Sequence, residues 1–265
     1  MSANASITVA DCERMQTSWF RAHAEFVGGE VREDGPLTWI LDSTGLHLMF
    51  PRELPADGLA RGVAWARSLG TRIGVWLSDD VDEAPLAAAG FRRNWAPCWM
   101  TARLSDVGAP NPDRSGRVEL QEESGDYRGR HAGYAKDLAL TRSRPKRTWY
   151  AASYEPGTHA FTGRVWAHTD PALAGVTGIF DMAVWDPFRR QGYATDLLQV
   201  ICATAAASGA TDAVLNATPE GKLLYDRCGF EQIGAGITWE MPAPGLRRRV
   251  RRGLRRLASP LRPSH

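Results

Sequence analysis

Cysteine is scarce: four occur in 265 residues, Cys12, Cys98, Cys202 and Cys228, far apart and with no C-x-x-C pair. That spacing argues against both a zinc site and a disulfide framework, and a reducing cytoplasm is the expected location. The six histidines show no H-E-x-x-H or other ligand spacing, so no metal is expected. No apolar run approaches the roughly 18 residues of a membrane span. The start, MSANASITVADCERMQ, lacks the basic cluster and apolar stretch of a secretory signal. Spanning and export are therefore not expected. Net charge is also small at +2, but unevenly spread: residues 246–265 hold eight arginines and no acid, which leaves −6 on the first 245. A mildly acidic body is not a nucleic-acid-binding surface, so sequence-specific nucleic-acid recognition is not expected.

What is present suffices for one or two cores, since 43% of residues are hydrophobic and 9% aromatic. Residues 1–105 alternate helical and extended segments. A helix is predicted over 12–27, a hairpin from LTWILD (37–42) and GLHLMF (45–50), and a helix over 56–69. A strand at 72–78, a short helix at 81–89 and a strand at 94–104 follow. DVGAPNPDRSG (106–116), rich in proline and turn formers, reads as a linker. The order then recurs over 117–245: strand 117–120, helix 123–139, strands 159–168 and 176–185, helix 192–208, strand 212–217, short helix 219–227, strand 231–240. Both halves end as strand, short helix, Gly-Phe and strand, as in VWLSDDVDEAPLAAAGF (75–91) and AVLNATPEGKLLYDRCGF (213–230). A degenerate duplication accounts for this, with α/β (α+β) halves at 1–105 and 117–245, each a twisted mixed sheet flanked by helices.

The segment that carries chemistry is GIFDMAVWDPFRRQGYATDLLQVI (178–201). A strand with Ile179, Asp181, Ala183 and Trp185 on one face and Phe180, Met182 and Val184 on the other runs into Pro187. RRQGYAT then opens a helix buried through Ala194, Leu197, Leu198 and Ile201. Gly192 lets backbone approach a ligand closely, the unpaired amides at the helix start favour an anion, and Arg189 and Arg190 add charge beside them. Neither G-x-x-x-x-G-K-[ST] nor a post-strand G-x-G-x-x-G is present, so the usual nucleotide loops are excluded.

R-x-x-G-x-A (Arg189, Gly192, Ala194), preceded by Val184 and Pro187 and followed by ATPEGKLLYDRCGF (217–230), resembles the GCN5-related N-acetyltransferase (GNAT) family over 117–240. The resemblance implies a tandem protein with a degenerate first copy and acetyl-coenzyme A as co-substrate. It implies that Met182, Ala183 and Val184 offer backbone to the pantetheine arm, and that Arg189, Arg190, Gln191, Gly192, Tyr193, Ala194 and Thr195 surround the pyrophosphate. It makes Tyr225 the proton donor to the departing thiolate, and it puts Thr218 where many relatives carry a coenzyme-contacting asparagine. The general base is not fixed by the motif. Asp181 is a candidate, or else forms an ion pair with a phosphate-binding arginine; Glu240 reads as a solvated edge residue and His168 as an exposed strand end.

The first half lacks the motif, since PRELPADGLARG (51–62) has no R-x-x-G-x-A and no tyrosine precedes Gly90. It reads as a silent copy whose six tryptophans are mostly core, one or two lining a cleft between the halves. The implied reaction is acyl transfer to a primary amine, on a small molecule or a peptide N-terminus; a non-catalytic acyl-coenzyme A sensor is the alternative. In 246–265, Leu246, Val250, Leu254, Leu257 and Leu261 recur at helical spacing opposite the arginines, which predicts a basic amphipathic helix suited either to an anionic partner or membrane surface or to packing back on the acidic body.

Overall fold

Thr8 starts the first helix with a reciprocal cap. Its hydroxyl accepts from the Asp11 amide at 3.3 Å while the Asp11 carboxylate accepts from the Thr8 amide at 3.0 Å, so α1 (Val9–Val27) begins ahead of its apolar stripe. The architecture comes from a computed structural model that describes residues 6–121 and 137–244. In the first half, β1 (Glu30–Asp34), β2 (Leu37–Asp42) and β3 (Gly45–Met49) are antiparallel neighbours. Helix α2 (Ala56–Leu69) crosses over to β4 (Ile73–Ser78), which runs parallel to β3. After α3 (Ala84–Ala88) come β5 (Arg92–Arg93) and β6 (Cys98–Arg103). A 3-10 turn at Pro112–Arg117 leads to β7 (Val118–Leu120), which edges the second half. There β8 (Thr148–Tyr154), β9 (Phe161–Thr169) and β10 (Val176–Val184) are antiparallel, and helix α4 (Tyr193–Ala207) crosses over to the parallel β11 (Asp212–Ala217). The chain ends in α5 (Pro219–Arg227) and β12 (Glu231–Met241). The same pairing order thus occurs twice, as the duplicated sequence pattern requires.

The closing strands are exchanged. β6 of the first half lies against β11 of the second, and β12 of the second half pairs through Gly236–Met241 with β4 of the first, giving one sheet ordered β1-β2-β3-β4-β12-β6-β11-β10-β9-β8-β7. The two halves therefore share one continuous sheet. The exchange is possible because β12 changes partner at Gly234-Ala235-Gly236, from β6 to β4. A Cβ at Gly234 would strike Val9, and one at Gly236 would press on Trp99 and Pro97. The reading of Glu240 is corrected by the exchange: flanked by Gly74 of β4 and Arg92 of β5, it lies inside the sheet rather than at an edge.

Three large buried clusters and a small one of Ala24, Ile40 and Met49 share the sheet. One lies beneath α4 and α5, a second joins Met15 and Trp19 of α1 to Tyr150, Trp166 and Phe180, and a third fills the space between α2 and the first-half strands. Strands β1 and β8 did not stand out in the sequence, because EVRED is charged and exposed and TWYAASY is buried almost throughout, so neither alternates. Of the helix expected over 123–139, most lies outside the described residues; Asp137–Arg142 is a 3-10 helix. The expected helix in 246–265 also lies outside them.

Candidate active site

β10 is paired on both sides only at its start. Val176–Ile179 match Asp212–Leu215 of β11, whereas β9 follows β10 to Val184, so beyond Ile179 the two parallel strands part. A bulge falls at that point: the β9 register shifts between Phe180 and Ala183, and Asp181 takes φ +50°. The extra residue resets the alternation of side chains. Ile179, Met182 and Val184 all join the core beneath α4, while Phe180 packs on α1, its ring stacked 4.7 Å from Trp19. Asp181 therefore does not share a face with Ile179 as a regular strand would require. Its carboxylate reaches Arg164 of β9 at 3.5 Å, not the arginines after the strand, and it lines a cavity on the α1 side.

After β10 the chain turns through Pro187 into the start of α4, where Arg190 (φ +62°) and Gly192 (φ +87°) hold left-handed conformations. Gly192 is the N-cap and offers no side chain, so the first amides of α4 are not covered by a capping group. Arg189 is exposed; its Nε donates to the Val184 carbonyl at 2.9 Å and its head lies 3.6 Å from Asp186, which folds the loop back on the strand. Gln191 donates to the Pro187 carbonyl at 3.1 Å. Tyr193, not Ala194, is the fully buried residue of the first turn; Ala194 is half-buried.

Two residues absent from the sequence reading complete this anion-favouring site. Arg114 and Arg117, from the 3-10 turn within and after the linker, each reach the buried Asp196 of α4 at 3.5 Å. Arg117 also donates to the Gln191 carbonyl at 3.1 Å and lies 4.9 Å over the Tyr193 ring. Arg114 occupies the space next to Gly192 that a Cβ would enter. Their linker-like sequence context carried no periodicity, and only their charge could have marked them.

Tyr225 of α5 is 8% exposed, its ring 5.7 Å from Phe230 in the core beneath the sheet. Burial, with Cys202 and Cys228 adding to it, pushes its phenol well above the ordinary tyrosine range. Thr218 caps α5, its hydroxyl accepting from the Gly221 amide at 3.1 Å. Cys228 and Cys202 are buried, and burial raises both thiols, Cys202 to about 12. His168 is not exposed. It is 3% accessible, its ring sits 3.0 Å from Ser18 Oγ and 2.9 Å from Thr148 Oγ1, and burial lowers it to about 4. It fastens α1 to the sheet.

The first half has no equivalent opening. The Phe50 amide donates to Trp76 at 2.9 Å, continuing the β3–β4 pairing, and Pro51 and Leu54 are buried where the loop would gape. Gly58 and Gly62 serve close packing of α2, since a Cβ at either would overlap Leu37 or the Trp39 ring. Among the described residues no group of three His, Cys, Asp or Glu side chains is placed to hold a metal ion, and no helix is long and apolar enough to cross a membrane.

Residues 117–230 match the family model for the acetyltransferase (GNAT) family. No curated protein matches the chain in sequence. Among solved structures, a GCN5-related N-acetyltransferase from Kribbella flavida superposes with a TM-score of 0.59 at 13% identity, over 92% of this chain and 99% of that one. A tandem GNAT protein from the clavulanic acid biosynthesis pathway gives 0.56 at 12% identity, over 89% and 97%. A conserved protein of unknown function from Staphylococcus epidermidis gives 0.57 at 12% identity, over 82% and 96%. These likenesses establish a tandem fold along nearly the whole chain.

Proposed function

We propose that this chain, a GNAT-family protein through residues 117–230, transfers an acetyl or other short acyl group from acyl-coenzyme A to a primary amine by direct attack. The observation that carries the reading is the parting of β10 from β11 at a bulge, directly before a left-handed glycine and an uncapped helix start. The unpaired edge of Met182, Ala183 and Val184 suits an extended, amide-bearing arm, which can add to a strand by backbone hydrogen bonds. The amides from Arg190 to Thr195, with Arg189, suit a diphosphate. Acyl-coenzyme A supplies an activated thioester carbonyl.

The amine nitrogen attacks that carbonyl carbon, the new C–N bond forms and the C–S bond breaks. The nucleophile is the neutral amine, so an ammonium acceptor first gives one proton through water to Asp181, the exposed carboxylate at the bulge, which passes it to solvent. The proton shed as the amide forms takes the same route, and Tyr225 protonates the departing thiolate and is reprotonated from solvent. The phenol is protonated at neutral pH and so has a proton to give. Neither buried thiol suits an acyl-cysteine route, because each is held protonated. The acceptor is an amine-bearing small molecule or a peptide N-terminus, the protein works in the cytoplasm, and the arginine-rich 246–265 segment serves docking to an anionic partner or surface rather than chemistry. Isothermal titration with coenzyme A tests the site: binding is expected in the wild type and lost by more than about tenfold in Gly192→Val. Unchanged affinity would place the diphosphate elsewhere.

A further inference from the structure

Two of the cavities on the described surface stand out. The one of about 340 Å³ beside α2 is lined mostly by aliphatic residues, with Thr71 and a single charged group, Arg67, and meets none of the site residues. The other, of about 240 Å³, lies at the seam of the halves, where α1, the β2–β3 turn and the exchanged strand β12 converge on Asp181. Its walls are aromatic: Trp76 meets Trp95 edge-on at 5.9 Å, and Phe20 lies 4.4 Å from the His47 ring. Three carboxylates, Asp42, Asp181 and Glu240, face it against one guanidinium lining it, Arg72, with Arg164 behind Asp181.

Asp42 is the fixed charge. Its side chain is 2% exposed, and its partners, the Thr44 hydroxyl and amide at 2.7 Å and His47 at 3.3 Å, hold it ionised near 2 against the opposing cost of burial. His23, 7% exposed, lines the same space, and among the described residues neither of its ring nitrogens has a hydrogen-bond partner. An imidazole that is buried and left unpaired costs stability unless something else satisfies it. Burial keeps it neutral, so it presents one donor and one acceptor. Aromatic faces, surplus carboxylates and one unsatisfied imidazole are together what a small ammonium ion bearing a hydroxyl would require.

We infer that this seam cavity is the acceptor pocket: the first half binds a small, hydroxyl-bearing primary amine in its cationic form and delivers it to Asp181 at the bulge. The inference rests on the acyl-transfer reading for its purpose but not for its binding test. The first half then contributes recognition while remaining without a coenzyme site of its own. A volume of about 240 Å³ is below the usual ~300–1,000 Å³ of drug-sized sites, which favours a small molecule over a peptide N-terminus.

The test is direct binding to the full-length protein, by calorimetry and by tryptophan fluorescence, of ethanolamine, 2-amino-1,3-propanediol and putrescine, with glycolate as an anion of similar size. At least one hydroxylated amine is expected to bind and quench fluorescence, and glycolate is not. Asp42→Asn should weaken amine binding by more than about tenfold while leaving coenzyme A affinity unchanged. Because Asp42 also braces its turn, Glu240→Gln and Trp95→Phe are run in parallel: Glu240→Gln should weaken binding and Trp95→Phe should reduce the quench. Absence of binding by every amine, equal binding of glycolate, or full amine affinity in all three variants would overturn the assignment. Amine binding with no turnover would instead leave the pocket standing and remove the acyl-transfer reading.

Discussion

At the level of single residues, the site was legible where backbone chemistry dictates residue type and illegible where tertiary contacts do. Gly192 could be singled out because a helix start without a side chain asks for glycine, and its φ of +87° is one that glycine adopts most readily. Asp181 was found but misplaced, since a bulge leaves no mark in a strand that alternates well on paper. Arg114 and Arg117 were missed because the groups that give them meaning, Asp196 and Gln191, lie about 80 residues away in sequence. Gly192→Val has two reasons to fail, a strained φ and a side chain driven into Arg114, so its loss of coenzyme A affinity should come with some loss of stability. Tyr225→Phe separates chemistry from packing more cleanly. It keeps the ring against Phe230 and removes only the hydroxyl, so turnover should fall by roughly one hundredfold with coenzyme affinity little changed. Should the variant melt earlier and yet turn over normally per folded molecule, Tyr225 is a packing residue.

Among elements, α1 is the one whose role the sequence did not disclose. Its helical period was plain, but nothing in residues 9–27 says that it packs across the second half's sheet through Trp19, Met15 and the Ser18–His168 contact. Burial of His168 beneath that contact gives the fold a pH dependence. His168 is lowered from 6.5 to about 4 in the fold, so between those values the unfolded chain binds the extra proton and stability falls as pH falls; above 6.5 the contribution is fully present and flat. The size is on the order of 3 kcal/mol. Urea denaturation at pH 7.5 and 4.5 should show a smaller acid loss for His168→Asn than for the wild type, with the difference between the two proteins as the readout. Equal acid losses would mean the ring titrates normally.

For the whole molecule, the duplication was visible in the two Gly-Phe endings, and the repeated pairing order agrees with it. The exchange of β6 and β12 was not, because a closing strand has the same alternation whichever half receives it. Its physical consequence is that neither half holds a complete sheet: without β6, β11 has an open edge, and without β12 so does β4. We expect residues 1–105 and 106–265, made separately, to aggregate or remain unfolded, and the intact chain to unfold in one calorimetric transition with the van't Hoff and calorimetric enthalpies equal. Two resolved transitions would show that the halves are independent in spite of the exchange.

The same seam that exchanges strands brings Asp181 of the second half into one cavity with Asp42 and Trp76 of the first, so acyl transfer has to be sought in the joined molecule. Incubating the full-length protein with acetyl-coenzyme A and a panel of small primary amines, and following thiol release together with the mass of the amine, tests this most directly. Enzymatic acetylation of at least one amine, reduced about a hundredfold in Tyr225→Phe, is the predicted result. Tight coenzyme A binding with no thiol released over any amine in the panel would contradict it and make the chain a sensor of acyl-coenzyme A.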